Sequence, residues 1–375
     1  MKFTCQRERF LTPLLMVGGV VEKRHTMPVL ANVLIQASPE DGVSITATNN
    51  EVELVAYIRE IQVHQAGAIT VPARKLSDIC RSLPEGQMLT LEYASSKLDL
   101  RCATSHFSLA TLPADHFPKV ENESSDISLR LQQAKLKRII DATAFAMAQQ
   151  DVRYYLNGLL LELNSSGLRA VATDGHRLAM AGFEHKHDLF DDSAEDTTVQ
   201  KIIPRKGVLE LAKLLADDEE AICEVLIGHN HIRVLMKDYA FSSKLIEGKF
   251  PDYQRVIPRN SDKKMLGDRL LLKSMLSRAA ILSHESYRGV RLQFSENTVE
   301  VFANNPEQEE AEDRLEVDYA YEDLQMGFNV AYLLDVLNVI KDERVEVALS
   351  NPASSALVEG VDTKDALYVV MPMRL

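Results

Sequence analysis

Cysteine is scarce in this chain of 375 residues: Cys5, Cys80, Cys102 and Cys223 stand far apart, with no CxxC spacing. That argues against a disulfide framework and against a zinc site. No stretch approaches the ~20 consecutive apolar residues of a membrane-spanning helix. The opening residues, MKFTCQRERF, lack the apolar core of a secretory signal, so a cytoplasmic location is expected. Neither a GxxxxGK[ST] phosphate loop nor a GxGxxG turn occurs, and Gly18-Gly19 reads as the end of a helix. Without a phosphate cradle, nucleotide hydrolysis is not expected. A GxSxG elbow and an HExxH helix are absent as well.

The composition is that of an ordinary globular protein, 46% apolar and 26% charged. The length suits two or three domains. The net charge of −13 is unevenly spread. Residues 307–323 carry nine acids and one base, and residues 184–196 carry six acids and one base. The other 345 residues hold 40 acids and 40 bases. A whole-chain excess of acid therefore does not exclude a nucleic-acid partner, because the acidity is local.

Three series of short similarities recur in the same order. Ala47-Thr-Asn-Asn resembles Ala172-Thr-Asp-Gly and Ala303-Asn-Asn-Pro, at offsets of 125 and 131. Val71-Pro-Ala-Arg resembles Ile203-Pro-Arg-Lys, with Phe328-Asn-Val-Ala as the third member. Phe107 precedes Phe117-Pro118 as Phe241 precedes Phe250-Pro251. A period near one third of the chain means repeated domains rather than a solenoid, whose units are ~20–45 residues long.

Each repeat carries helical periodicity twice. The apolar sets are Leu76, Ile79, Cys80 and Leu83; Leu136, Ile139, Ile140 and Thr143; Val208, Leu211, Ala212 and Leu215; Leu272, Met275, Leu276 and Ala279; and Leu333, Val336, Leu337 and Ile340, with Asn329 as N-cap. A further helix is expected over about Phe10–Val17, with Pro13 in its opening turn. Alternating runs at 43–46, 98–101, 168–171, 299–302 and 345–348 predict half-buried antiparallel strands. The fold class is therefore α+β, each repeat being two helices over one face of an antiparallel sheet. Bases recur on the polar helix faces: Arg74, Lys75 and Arg81; Lys135, Lys137 and Arg138; Arg205, Lys206 and Lys213; Lys273 and Arg278; Lys341. Individually these are solvated faces, but repeated they form a weakly basic surface suited to phosphates without base readout.

Three groups invite a chemical reading. Asp174-Gly-His-Arg177 could supply an acid–base pair with a clamp, although Asp-Gly between two strands also suits a hairpin turn. His185/His187, beside Asp188, Asp191 and Asp192, and His229/His231 have HxH spacing. A metal site needs more ligands than such a pair, so surface histidines are expected and no cofactor is assigned. The third group is apolar and basic: Arg153, Leu156, Thr173, His176, Leu178, Pro251, Arg255, Val256, Tyr332 and the tail Val369-Val370-Met371-Pro372-Met373-Arg374-Leu375. Methionine is common where a surface must adapt to peptides, and Pro372 interrupts any strand ladder.

Longer motifs carry a resemblance over essentially the whole chain. They are Asp151-Val-Arg-Tyr-Tyr-Leu-Asn-Gly158, Ala172-Thr-Asp-Gly-His-Arg-Leu178, Pro204-Arg-Lys-Gly207, Gly248-Lys-Phe-Pro-Asp-Tyr253, Tyr287-Arg-Gly-Val-Arg-Leu292, Asn304-Asn-Pro-Glu-Gln-Glu-Glu-Ala311 and Tyr368-Val-Val-Met-Pro-Met-Arg-Leu375. The chain resembles the bacterial β sliding clamps, the processivity subunits of DNA polymerase III. The resemblance implies clamp domains over 1–122, 129–252 and 253–375, a head-to-tail homodimeric ring of six domains around duplex DNA, an ATP-driven loader, and no catalysis. It places the apolar and basic group, with Gly175, Arg177, Tyr287, Asn329, Ala353 and Ser355, in a cleft for short motifs of the polymerase α subunit and other partners. It implies DNA contacts at Arg24, Arg74, Gln150, Tyr154, Tyr155 and Lys206. It implies a dimer seam of Lys75, Phe107 and Leu109 facing Ile281, Leu282, Glu307, Glu309, Glu310 and Glu312. Thr104 and His106 depart from the arginines expected opposite those acids, and the 184–200 loop is longer and more acidic than the resemblance leads one to expect. A hydrolase centred on Asp174 and His176 is the competing reading, with a static scaffold as a third.

Overall fold

The computed structural model describes residues 1–22, 27–118, 125–185 and 198–374. The first repeat runs β1 (Lys2–Gln6), α1 (Arg7–Gly18), β2 (Asn32–Ser38), β3 (Gly42–Thr48), β4 (Val52–Ile58), β5 (Gln62–Gln65), β6 (Gly67–Pro72), α2 (Ala73–Ser82), β7 (Met88–Ala94), β8 (Lys97–Cys102) and β9 (Ser105–Ala110). The second runs β10 (Ser125–Gln132), α3 (Gln133–Thr143), β11 (Gly158–Asn164), β12 (Gly167–Thr173), β13 (Arg177–Glu184), β14 (Val199–Pro204), α4 (Arg205–Leu214), β15 (Ile222–Gly228), β16 (His231–Leu235) and β17 (Tyr239–Lys244). The third runs β18 (Lys263–Asp268), α5 (Arg269–Ile281), β19 (Gly289–Ser295), β20 (Thr298–Asn304), β21 (Glu310–Glu316), β22 (Leu324–Asn329), α6 (Val330–Val339), β23 (Arg344–Leu349), β24 (Ala356–Gly360) and β25 (Ala366–Val370). The α+β class and the threefold repeat expected above are therefore present, element for element, apart from the extra strand β5.

The helices form where the apolar period requires. On α2, Leu76 and Cys80 are buried while Arg74, Lys75 and Asp78 face solvent. Helix α6 is capped by Asn329, whose side chain accepts from the Ala331 N–H at 2.9 Å, as expected. Helix α1 differs from expectation: it begins at Arg7, so Pro13 lies in its middle. Proline there cannot donate to the Arg9 carbonyl, yet Phe10, Leu14 and Val17 are fully buried on one face. That packing carries the helix through the missing hydrogen bond.

The sheets also differ from the expectation of one sheet per repeat. Each repeat splits its strands between two antiparallel sheets, and sheets continue across repeat boundaries. The described residues divide into two compact units. One, Met1–Leu136 with Lys206–Leu245, holds the sheets β5-β1-β7-β8-β9 and β10-β15-β16-β17-β4-β3-β2-β6. The other, Lys137–Arg205 with Ile246–Leu375, holds β14-β11-β12-β13-β25-β24-β23-β18 and β21-β20-β19-β22. Two joints make this continuity. The last strand of repeat two, β17, pairs with β4 of repeat one, Val55 opposite Ala240. The last strand of repeat three, β25, pairs with β13 of repeat two, Met180 opposite Leu367. The corresponding strands left at sheet edges are β9 and β21.

Candidate functional site

In the second unit, the turn between β12 and β13 is built by its own polar side chains. The Thr173 hydroxyl donates to the Arg177 carbonyl at 2.6 Å and accepts from the Gly175 N–H at 3.1 Å. Asp174 Oδ1 accepts from the N–H groups of His176 (2.9 Å) and Arg177 (3.1 Å). Gly175 sits at φ +90°, and a Cβ there would come within 3.0 Å of the Arg153 guanidinium. Asp174 is thus spent on the turn and on Arg177 Nε at 3.0 Å, and makes no acid–base pair with His176.

Arg177 ties several elements together. Besides Asp174, it donates to Asp335 on α6 and to the Phe145 carbonyl at 2.9 Å. Its guanidinium lies 4.6 Å from the Tyr332 ring centroid and 5.1 Å from that of Phe145. The His176 ring stacks on Tyr332 at 6.3 Å. Burial and the Asp174 carboxylate raise the Tyr332 phenol above its ordinary range. Asp335 and Phe145 were not singled out from sequence; Asp335, at helical i+3 from Tyr332, was the available signal.

A second clamp holds the 151–157 turn. Arg153 forks onto both oxygens of Asp151, at 3.0 and 2.8 Å, and reaches the Asp174 carbonyl at 3.3 Å. The Asn157 side chain bridges the Asp151 backbone. The Arg153 hydrogen bonds lower the Asp151 carboxyl to about 2. Between the two turns lies an apolar floor: Leu156, Leu178, Phe250, Tyr253 and Val369 are buried in one cluster, with Val256 and Ile257 half-buried against it. The tail crosses this region by backbone bonds. Val369 and Val370 pair with Leu178 and Arg177. The Met371 N–H donates to the His176 carbonyl at 2.9 Å, and the Met373 N–H to the Gly327 carbonyl at 2.8 Å. Pro372 between them has no N–H to offer, which leaves the tail half-buried rather than laddered.

The structure thus brings together Arg153, Leu156, Thr173 to Leu178, Val256, Tyr332 and the tail. Pro251 is exposed, and Arg255 pairs with Asp252 at 2.7 Å. Tyr287 is 65% exposed, its ring 4.8 Å from that of His284. Ala353 belongs to a turn held by Asn351, and half-buried Ser355 precedes Ala356, which pairs with Val370. Leu375 and Arg24 lie outside the described residues, as do His187, Asp188, Asp191 and Asp192. Among the described residues, no three His, Cys, Asp or Glu side chains gather as a metal set.

The residues expected to meet DNA are Arg74, near Asp78 at 3.9 Å; Gln150, at φ +57°; Tyr154 and Tyr155, ring to ring at 5.8 Å; and Lys206, which pairs with Glu22 at 2.6 Å. Many helix-face bases have acidic neighbours: Lys137 with Asp141, Arg138 with Asp365, Lys213 with Glu210, Arg278 with Asp313. Of the residues expected at a dimer seam, Lys75, Glu307, Glu309, Glu310 and Glu312 are exposed, Phe107 and Leu282 half-buried, and Ile281 77% exposed. Leu109 is already buried within its own chain. His106 on β9 lies 3.3 Å from Asp99.

Three copies of one α+β unit, their sheets fused strand to strand and no acid–base or nucleophilic constellation at the polar turn, define a DNA-clamp architecture. Family models agree: that of the DNA polymerase III beta subunit N-terminal domain matches residues 1–121, the central domain 130–252 and the C-terminal domain 254–374. The chain is similar to the beta sliding clamps of Pseudomonas aeruginosa (51% identical over 375 residues) and Escherichia coli K12 (48% over 376), all of each chain being covered. It is also similar to the crystal structure of the P. aeruginosa DNA polymerase III beta subunit, with a TM-score of 0.92, 50% identity and full coverage of both chains. The chain belongs to the DNA polymerase III beta-subunit family, the bacterial beta sliding clamps, which are non-catalytic processivity factors of DNA replication. The hydrolase reading of Asp174 and His176 has no support.

Proposed function

We propose that two copies of this chain close head to tail into a ring in the bacterial cytoplasm, with clamp domains at 1–122, 129–252 and 253–375. The observation that carries this reading is the joint rule. Each internal joint pairs the last strand of one repeat with the third strand of the middle four in the repeat before it: β17 with β4, β25 with β13. The strands with these roles and no such joint are β9 and β21. Pairing β9 of one copy with β21 of another repeats the joint a third time and satisfies both edges. The register follows as well. Ala240 and Leu367, second residues of their strands, face Val55 and Met180; the ladder that sets Val55 opposite Thr46 and Met180 opposite Val171 sets Glu312 opposite Phe302 in repeat three, so His106, second residue of β9, faces Glu312. Phe107 then meets Ala311, with Lys75, Leu109, Ile281, Leu282, Glu307, Glu309 and Glu310 along the same seam.

The ring holds duplex DNA without reading its sequence, with Arg24, Arg74, Gln150, Tyr154, Tyr155 and Lys206 as contacts. Partly neutralised helix faces suit sliding, since strong phosphate binding would impede it. The cleft of Arg153, Leu156, Thr173, Gly175, His176, Arg177, Leu178, Pro251, Arg255, Val256, Tyr287, Asn329, Tyr332, Ala353, Ser355 and 369–375 takes short motifs from the polymerase III alpha subunit and other clamp-binding proteins. A separate loader supplies the nucleotide chemistry. Light scattering should report the mass of a dimer. Protein loaded on circular DNA should be retained, and lost when the circle is cut; equal loss from both forms would sink the proposal.

A further inference from the structure

The three repeats present the same transverse row of residues across their middle strands, read from cross-strand partners. In repeat one the row is Leu112, Thr70, Leu34, Thr46 and Val55. In repeat two it is Ile246, Ile202, Leu160, Val171 and Met180. In repeat three it is Met373, Gly327, Arg291, Phe302 and Glu312. In the first two repeats an aromatic-proline segment covers this face. Phe117-Pro118 follows Leu112, and Phe117 packs on Leu30 and Leu34. Phe250-Pro251 follows Ile246, and Phe250 joins Leu160, Val171 and Ile202, with Tyr253, Val256 and Ile257 beside it.

In repeat three no described residue covers the face. It is an open groove of about 720 Å³, lined by Arg291, Phe302, Glu310, Glu312, Gln325 and Met373 among others. The Arg291 guanidinium lies over the Phe302 ring at 5.0 Å. Apart from Met373 and Arg374, its lining lies outside the cleft proposed above.

We infer that this groove is a second peptide seat, which takes from a partner protein what the chain's own linkers supply to repeats one and two. The occupant is an extended segment with a Phe-Pro anchor and flanking bases. The anchor fits because the row is the one that receives Phe117 and Phe250, with half-buried Phe302 as the aromatic platform. The bases fit because Leu178 and Met180 of repeat two are replaced in register by Glu310 and Glu312. Pairing of β9 against β21 leaves the seat open, since in repeat two β25 occupies the corresponding position beside the seated linker. The inference rests on the repeat equivalence and not on the cleft assignment.

The test uses the full chain and a labelled peptide of its own linker, Lys249–Val256 (KFPDYQRV), which carries the anchor and two bases. Fluorescence polarisation should give saturable binding. Phe302→Ala, the pair Glu310→Lys with Glu312→Lys, and replacement of the peptide's phenylalanine by alanine should each weaken it about tenfold or more. The cleft variant Tyr332→Ala should leave it within about twofold. No saturation by about 1 mM would overturn the proposal. So would binding lost with Tyr332→Ala but retained with Phe302→Ala, which would put the peptide in the cleft and leave that assignment standing.

Discussion

His106→Arg should tighten the closed dimer. On β9 the imidazole already faces Asp99 of its own chain at 3.3 Å, and the proposed joint register would put Glu312 of the partner opposite it. A permanently charged, forked guanidinium in that position serves both carboxylates, whereas an imidazole has no such fork. An exposed pair of this kind contributes ~0.5–1 kcal/mol. A head-to-tail dimer has two identical seams, so the substitution acts twice and shifts dissociation by ~1–2 kcal/mol, or about 5–30-fold. Dimer dissociation constants from sedimentation velocity, in low and moderate salt, measure this. Unchanged or weaker association of the Arg variant would refute the register, as would a benefit that survives Glu312→Ala.

Two further outcomes are expected. Arg177→Ala leaves Asp174 and Asp335 unpaired and strips the Phe145 carbonyl of its donor; with the Arg177 side chain only 12% exposed, the loss should be ~2–4 kcal/mol. Urea unfolding and hydrogen exchange at the 173–178 turn report it, Arg177→Lys should recover only part, and a change below ~0.5 kcal/mol would contradict the tie. The four thiols are free and buried, and burial pushes Cys5, Cys80 and Cys223 up to about 12. A disulfide reagent at pH 8 should therefore react with none of them in the native protein and with all four once it is unfolded; rapid native labelling would contradict the burial.

The threefold order, the helices and the strand segments were legible because each leaves a local period. Asp174-Gly175 was legible as a turn, since Asp, Gly and Thr satisfy their own backbone there. The joints were not legible. Alternation tells which face of β17 is buried, but nothing local tells that Phe241 pairs with Leu54, 187 positions away in sequence. Arg177 was visible as a charged residue, yet its bond to Asp335 depends on α6 packing against β25, the strand paired with β13. Pro13 misled for the opposite reason: a strong local rule gave way to the burial of Phe10, Leu14 and Val17. The motifs shared with known clamps supplied the site residues that no periodicity could.

Strand β21 holds four acids and a single base in seven residues, while β9 has no acid at all. Two β21 edges brought together in register would set Glu310 opposite Glu316 at both ends and Asp313 opposite itself at the centre, with Glu312 opposite Arg314 between them; the like charges directly opposite destabilise such a strand pair. The same strand meets no such penalty on β9. In the proposed ring, the acidity that inflates the chain's negative charge would therefore also set the polarity of assembly, disfavouring tail-to-tail pairing of copies relative to head-to-tail closure.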